Sequence, residues 1–190
     1  MTINVEVGSP LPPIEIVGDR YLLRQFQHED LSVVEEASRD DLIPLITTVP
    51  STWTPQAGQA FVDRQNSRRS DGEGWSLAII DRKSNRAVGQ IGLWITHRHR
   101  GRAEIGYWIA GSGRGNRAAS HAVEALSTWA FEHLDVDRLS LFIEPWNIAS
   151  IKTAERAGYQ FEGLLRNWER VGGVSRDMSS HVRTRSGHPA

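Results

Sequence analysis

The clearest periodicity in the chain lies between residues 118 and 134. There Ala122, Val123, Leu126, Trp129, Ala130 and Leu134 recur at three- to four-residue spacing and predict a long helix with one buried face. Upstream the period changes to two. Trp75–Asp81, Ala87–Thr96 and Glu104–Ala110 predict three strands, the second with Val88, Gln90, Gly92 and Trp94 alternating against Ile91 and Leu93. The short connections between them, one carrying Asn85, predict an antiparallel meander. Before the meander the pattern gives a strand at Tyr21–Leu23 and a short helix over His28–Arg39, with Leu31, Val34 and Ala37 on one face. A further helix follows, capped by Thr54, opened by Pro55 and closed by Asp71-Gly72. After the long helix come a strand at Leu139–Ile143 and a short helix from Asn147 to Ala157, stopped by Gly158. A hairpin of Tyr159–Val171 with Val174–Val182, turning at Gly172-Gly173, ends the pattern. The order predicts a mixed α/β fold, neither doubly wound nor a sandwich: a mostly antiparallel sheet of about seven strands flanked by about four helices.

Length and composition narrow this picture. The 190 residues suit one domain, read as residues 14–184, with an extended lead-in over 1–13 and a disordered tail over 185–190. No apolar run approaches the ~20 residues of a spanning helix, and no secretory signal opens the chain, so a cytoplasmic protein without a membrane partner is expected. The 22 basic and 23 acidic residues leave a net charge of −1, which argues against nucleic-acid binding. With no cysteine there is no disulfide, no thiolate metal site and no acyl-cysteine intermediate. His121 and His133 stand 12 apart on one helix and make no metal pair, so no metal is expected.

Two segments carry chemistry. Gly111–Ala119, G-S-G-R-G-N-R-A-A, joins a strand to the long helix. A helix N-terminus presents free N–H groups and the positive end of the dipole, and glycine lets backbone approach a phosphate closely. The signatures G-x-x-x-x-G-K-[ST] and G-x-G-x-x-G are both absent. A flexible connection is the plainer reading of the three glycines. The second segment is E-P-W-N-I-A-S, Glu144–Ser150, where a strand ends, proline turns the chain and Asn147 caps a helix.

In order, E-I-G-Y-W-I-A (Glu104–Ala110), R-G-N-R-A-A (Arg114–Ala119), N-I-A-S followed by a short helix, G-Y and E-G (Asn147–Gly163), and G-G-V-S-R-D-M (Gly172–Met178) resemble the GNAT acetyltransferases. The likeness is to their ribosomal-protein N-acetyltransferase branch, the RimJ/RimL-like group, and it runs from about Arg20 to Arg183. It implies the GNAT fold and acetyl-CoA as co-substrate. The pantetheine arm is then expected beside Trp108, Ile109 and Ala110, and the pyrophosphate on the amides of Arg114, Gly115, Asn116, Arg117, Ala118 and Ala119. Asn147 resembles the residue that bonds the arm. The family loop, Q/R-x-x-G-x-G/A, has glycine where this chain has Arg117. Arginine can pair with phosphate, but it takes positive φ only at a cost.

The implied reaction is direct attack of a neutral amine on the thioester. An α-amine titrates near 8 and a lysine near 10.4, so a base must remove the ammonium proton. Glu169 resembles the base of RimL-like enzymes and Glu104 is a second candidate, while Ser150 resembles the donor to the departing thiolate. Ion pairing of Glu169 with Arg166 or Arg170 is the competing reading. Trp53, Trp94 and Trp168 are candidates for an acceptor groove, and the basic turn His97–Arg102 reads as a solvated hairpin tip. A protein N-terminal amine is the first acceptor reading and a small amine the second. A weakly catalytic acyl-CoA-binding module is a third, and oligomeric state is left open, a homodimer included.

Overall fold

The computed structural model describes residues 9–95, 97 and 100–185. The lead-in before residue 9, Arg98 and His99 of the basic turn, and the tail after Arg185 lie outside the described residues. Arg185 itself is anchored, its guanidinium donating to the carbonyls of Phe131, Leu134 and Val136.

One sheet of eight strands organises the chain, in the order β1-β2-β3-β4-β5-β6-β8-β7. The strands are β1 (Ile16–Val17), β2 (Tyr21–Arg24), β3 (Gly74–Asp81), β4 (Arg86–Trp94), β5 (Arg102–Ile109), β6 (Arg138–Ile143), β7 (Gln160–Val171) and β8 (Val174–Thr184). The helices are α1 (Leu31–Ser38), α2 (Ile43–Ile46), α3 (Pro55–Ser70), α4 (Ala118–His133) and α5 (Ile148–Arg156). The mixed, mostly antiparallel architecture is as the sequence predicts, with one strand and one helix more. Two-residue β1 is too short to show alternation, and four-residue α2, with Pro44 in its first turn, has no room for a helical period.

β3 is buried along seven of its eight residues because both its faces are covered. Trp75, Leu77 and Ile79 join Ile91, Leu93, Ile105, Leu139 and Leu141 under α4, which contributes Ala122, Val123, Leu126 and Ala130. Ala78 and Ile80 point the other way and pack with Val33, Val34 and Ala37 of α1 and Phe61 and Val62 of α3. Trp129 meets Trp75 edge to face at 5.1 Å, the packing role its register predicts.

The α3 face also buries a polar network. Trp108 Nε1 donates to Gln90 Oε1 at 2.6 Å, and Gln90 Nε2 donates to Ser76 Oγ at 2.7 Å. Ser76 Oγ and Gln90 Nε2 both reach Gln65 Oε1, and Gln65 Nε2 donates to Thr48 at 3.1 Å. A buried amide that loses its partner costs more than the bond gains, so this network fixes β4 and β5 against α3.

All pairings are antiparallel except β5 with β6, which the crossover helix α4 connects. That pair holds only over Arg102↔Arg138, Ala103↔Leu139 and Glu104↔Ser140. Beyond Glu104 the strands part. β5 stays paired with β4 as far as Ile109, and β6 stays paired with β8 as far as Ile143. Among the described residues no helix is long and apolar enough to cross a membrane.

Gln90→Leu should destabilise the fold by about 1–3 kcal/mol, because it strands the Trp108 indole N–H inside the protein and leaves Ser76 Oγ bonded to Gln65 alone. Urea unfolding checks this, and an unchanged midpoint would show that the network contributes nothing.

Candidate active site

The parting of β5 from β6 opens a cleft through the sheet with a cavity on either side. The smaller, about 400 Å³, is lined by Gln90, Trp94, Glu104, Gly106, Phe142, Glu144, Glu169 and Met178, among others. The larger, about 700 Å³, is lined by Arg114, Gly115, Arg117, Ala118, Ala119, Lys152, Thr153 and Arg156, among others. Leu42, Ile46, Tyr107, Trp108, Asn147 and Ser150 line both and mark where they join. So α2, absent from the sequence pattern, supplies the cover over the junction. Asp40 Oδ1 holds that cover by accepting from the N–H groups of Leu42 and Ile43.

The larger cavity ends on the glycine loop. Gly111–Gly113 forms one 3₁₀ turn, and α4 starts at Ala118 with Arg117 at its N-cap. The loop turns on two left-handed residues, Gly115 at φ 81° and Arg117 at φ 60°. A Cβ built at Gly115 meets nothing within 4 Å, so the glycine is required by its conformation and not by crowding from the protein. Arg117 sits where the resembling family has glycine, and it takes the left-handed conformation that explains that glycine, at a strain of about 1–2 kcal/mol. Arg114 is tied back, donating to Ile109 O at 3.1 Å and to Asp40 at 2.6 Å. Ser112 is held by Glu36, and Tyr21 Oη donates to Asn116 O at 3.0 Å. The loop is therefore fixed from α1 and β2; the Arg114 amide, expected to meet a phosphate, is spent on Gly111 O at 3.2 Å, and the amides of Gly115 to Arg117 are left for a ligand. Lys152 and Arg156 add two more cations, which the sequence analysis missed; their four-residue spacing on α5 was the available signal.

At the junction, Asn147 Oδ1 accepts from Ser150 N–H at 3.1 Å and caps α5. The capping reading of Asn147 is thus realised, while its amide nitrogen makes no hydrogen bond among the described residues. Ser150 sits in the first turn of α5, facing both cavities. Tyr107 Oη donates to Ser150 O at 3.4 Å and so links β5 to α5 across the cleft. Burial raises the Tyr107 pKa above its ordinary value.

The smaller cavity gathers Glu104 of β5, Glu144 just beyond β6 and Glu169 of β7. A bulge puts Glu169 there: from Leu165 to Glu169 β7 runs four residues while β8 runs two, from Met178 to Arg176. Within the bulge Asn167 is left-handed and its N–H donates to Asp177 Oδ1 at 2.8 Å. Partial desolvation, then the charges of Glu104 and Glu144, push the Glu169 pKa above the usual carboxylate value. No ion pair of Glu169 with Arg166 or Arg170 forms among the described residues. Glu144, which the sequence reading passed over, faces Arg176 at 3.7 Å. Of the three candidate tryptophans, Trp94 lines this cavity and Trp168 packs on Phe142 of its wall at 5.3 Å. Trp53 belongs instead to the core beside α3, its ring filling the space over Gly58. Among the described residues no group of three or more potential ligands is placed to hold a metal ion.

Comparison with known proteins agrees with this geometry. Residues 20–160 match the family model described as Acetyltransferase (GNAT) domain. N-acetyltransferase p20 of Bacillus licheniformis is 30% identical over 156 residues, covering 82% of this chain and 87% of that protein. Two solved structures share the fold. Mycobacterium smegmatis RimJ in complex with CoA-disulfide superposes with TM-score 0.81 at 21% identity, covering 96% of this chain and 92% of that one. RimL, the ribosomal L7/L12 alpha-N-protein acetyltransferase in complex with coenzyme A, superposes with TM-score 0.74 at 20% identity, covering 90% and 98%. A glycine loop at a helix N-terminus, a sheet split beside it and an unbroken family match over most of the length lead to one conclusion: this chain belongs to the GNAT acetyltransferases.

Proposed function

We propose that this protein transfers the acetyl group of acetyl-CoA to a primary amine by direct attack, with a protein N-terminal α-amine as the first acceptor. The single observation that carries the reading is the parted β5 edge, which opens between a cation-lined cavity and a carboxylate-lined one. The residues present fit the donor. The free edge of β5 past Glu104 offers backbone groups to a peptide-like arm as a neighbouring strand would. The loop amides from Gly115 to Ala119, the start of α4 and the cations Arg117, Lys152 and Arg156 suit a phosphorylated tail. A bound thioester supplies an activated acyl carbon.

The chain's own groups do the rest. Glu169, with its pKa raised and facing the junction from the acceptor side, takes the ammonium proton; Glu104, lining the same cavity from β5, is the alternative base. Ser150, at the positive end of α5, gives a proton or hydrogen bond to the leaving sulfur. Leu42, Ile46 and Trp108 give the junction apolar walls. The likeness to RimL, an alpha-N-protein acetyltransferase, supports a protein N-terminus as acceptor, and a cytoplasmic location accompanies that reading.

Acetyl-CoA at about 100 times its Kd should stabilise the fold by about 2.7 kcal/mol, a Tm rise of roughly 5–10 °C in differential scanning fluorimetry. A melting temperature unmoved by saturating acetyl-CoA would remove the donor from the proposal.

Gly115→Val should weaken acetyl-CoA binding more than Arg117→Gly, as titration calorimetry can measure. Valine is barred from the φ of 81° that Gly115 adopts, whereas glycine at 117 relieves a strained residue and should raise Tm.

Glu169→Gln should lower turnover at pH 7 by about 10²-fold while sparing acetyl-CoA affinity. The acid limb of kcat/KM in the parent should lie above the carboxylate value of 4.5. A carboxyl whose folded pKa is raised binds its proton more tightly in the folded chain, so ionisation lowers stability as pH climbs through that interval. The unliganded Glu169→Gln protein should therefore melt higher than the parent at pH 7. Full activity in Glu169→Gln with none in Glu104→Gln would transfer the role to Glu104.

A further inference from the structure

The two cavities that meet at Tyr107 and Ser150 carry opposite charge. The lining of the larger holds Arg114, Arg117, Lys152 and Arg156 against Asp40 alone. That of the smaller holds Glu73, Glu104, Glu144 and Glu169 against Arg68 alone. Arg68 is already engaged: it donates to Glu73 at 3.0 Å and lies over the Trp94 ring at 4.9 Å. Glu104 and Glu169 pair with no cation among the described residues, and Arg176 stands too far from Glu144 for a hydrogen bond. One proton acceptor is enough for amine attack, so three carboxylates converging on one cavity exceed what the chemistry requires.

The cavity also has an open seat at Gly106. Gly106 lies on the same face of β5 as Glu104 and Trp108, and a Cβ built there has Trp94 Nε1 at 3.9 Å as its only neighbour within 4 Å. Its conformation is ordinary, so the open space over it does not follow from backbone need. It lines the smaller cavity and not the larger. A group seated there has the Trp94 indole Nε1 as its nearest neighbour, on a ring over which Arg68 already lies.

We propose that the acceptor carries a second positive charge besides the reacting nitrogen, seated over Gly106 against Trp94, with Glu144 holding the second cation while Glu169 serves the first. This rests on the acetyl-transfer reading and narrows its acceptor to amines with a nearby cation. Two sources share that chemistry, a free aliphatic diamine and a peptide N-terminus followed by a basic residue.

Binding and turnover, both measured in the intact protein, test it. With coenzyme A bound, Kd is measured for putrescine against n-butylamine, and for alanyl-lysine amide against alanyl-glutamate amide. Turnover with acetyl-CoA is measured on the same four amines. The cationic member of at least one pair should bind about tenfold tighter or more, which is about 1.4 kcal/mol and beyond the doubling that two equivalent ends give putrescine. The preference should shrink as salt is raised and should collapse in Glu144→Gln. Gly106→Val should weaken both cationic amines. A preference in the diamine pair alone identifies a free diamine; in the peptide pair alone, a basic N-terminus. Equal affinities within both pairs overturn the inference, whether or not acetyl transfer occurs. Absence of turnover on all four amines counts against acetyl transfer, and the affinity ratios still decide the second charge.

Discussion

Two strands that start hydrogen-bonded and then separate leave backbone donors and acceptors facing each other across a space no third strand fills. In this protein β5 and β6 do so after three paired residues, inside a sheet whose faces are both covered. Ile105, Trp108, Leu141 and Ile143 along the parting are buried, so water reaches those backbone groups only through the cleft. Buried peptide groups need partners, and an extended, amide-bearing ligand arm is the partner with the right spacing. The rest of the architecture serves that parting. The Gln65–Ser76–Gln90–Trp108 network holds β5 to α3, β8 stays paired with β6, and Tyr107 bridges to α5.

The cleft is polarised along its length. Cations and the start of α4 lie at one end, carboxylates at the other, and an uncharged junction of Tyr107, Trp108, Asn147 and Ser150 lies between. Opposite fields at the two ends sort an anionic donor from a cationic acceptor before either makes specific contacts. The same arrangement raises the pKa of Glu169, because like charges and partial desolvation both disfavour its ionised form. A carboxylate that binds its proton more readily than in water is better matched to taking one from an ammonium.

Stability is given up at two of the positions that line the cleft. Arg117 occupies a left-handed position without being glycine, and Glu169 carries its charge beside two others. Each disfavours the unliganded fold, and each places a charge where a ligand of opposite sign would offset it.

Local pattern decided most of the secondary structure. Short apolar runs joined by short turns marked β3 to β5, with period-two alternation in β4; the 3.6 period marked α4, Thr54 with Pro55 opened α3, and Asn147 with Gly158 bounded α5. The glycine loop was legible too, since its amides and its helix start are neighbours in sequence. Tertiary structure alone decided the parting of β5 from β6, because hydrophobic periodicity says which face of a strand is buried and not which strand lies beside it. It alone brought Glu104, Glu144 and Glu169 to one cavity from three separate segments, and it alone laid α2 over the junction, a helix too short to carry a period. These features depend on register and long-range pairing, which residues adjacent in sequence do not encode.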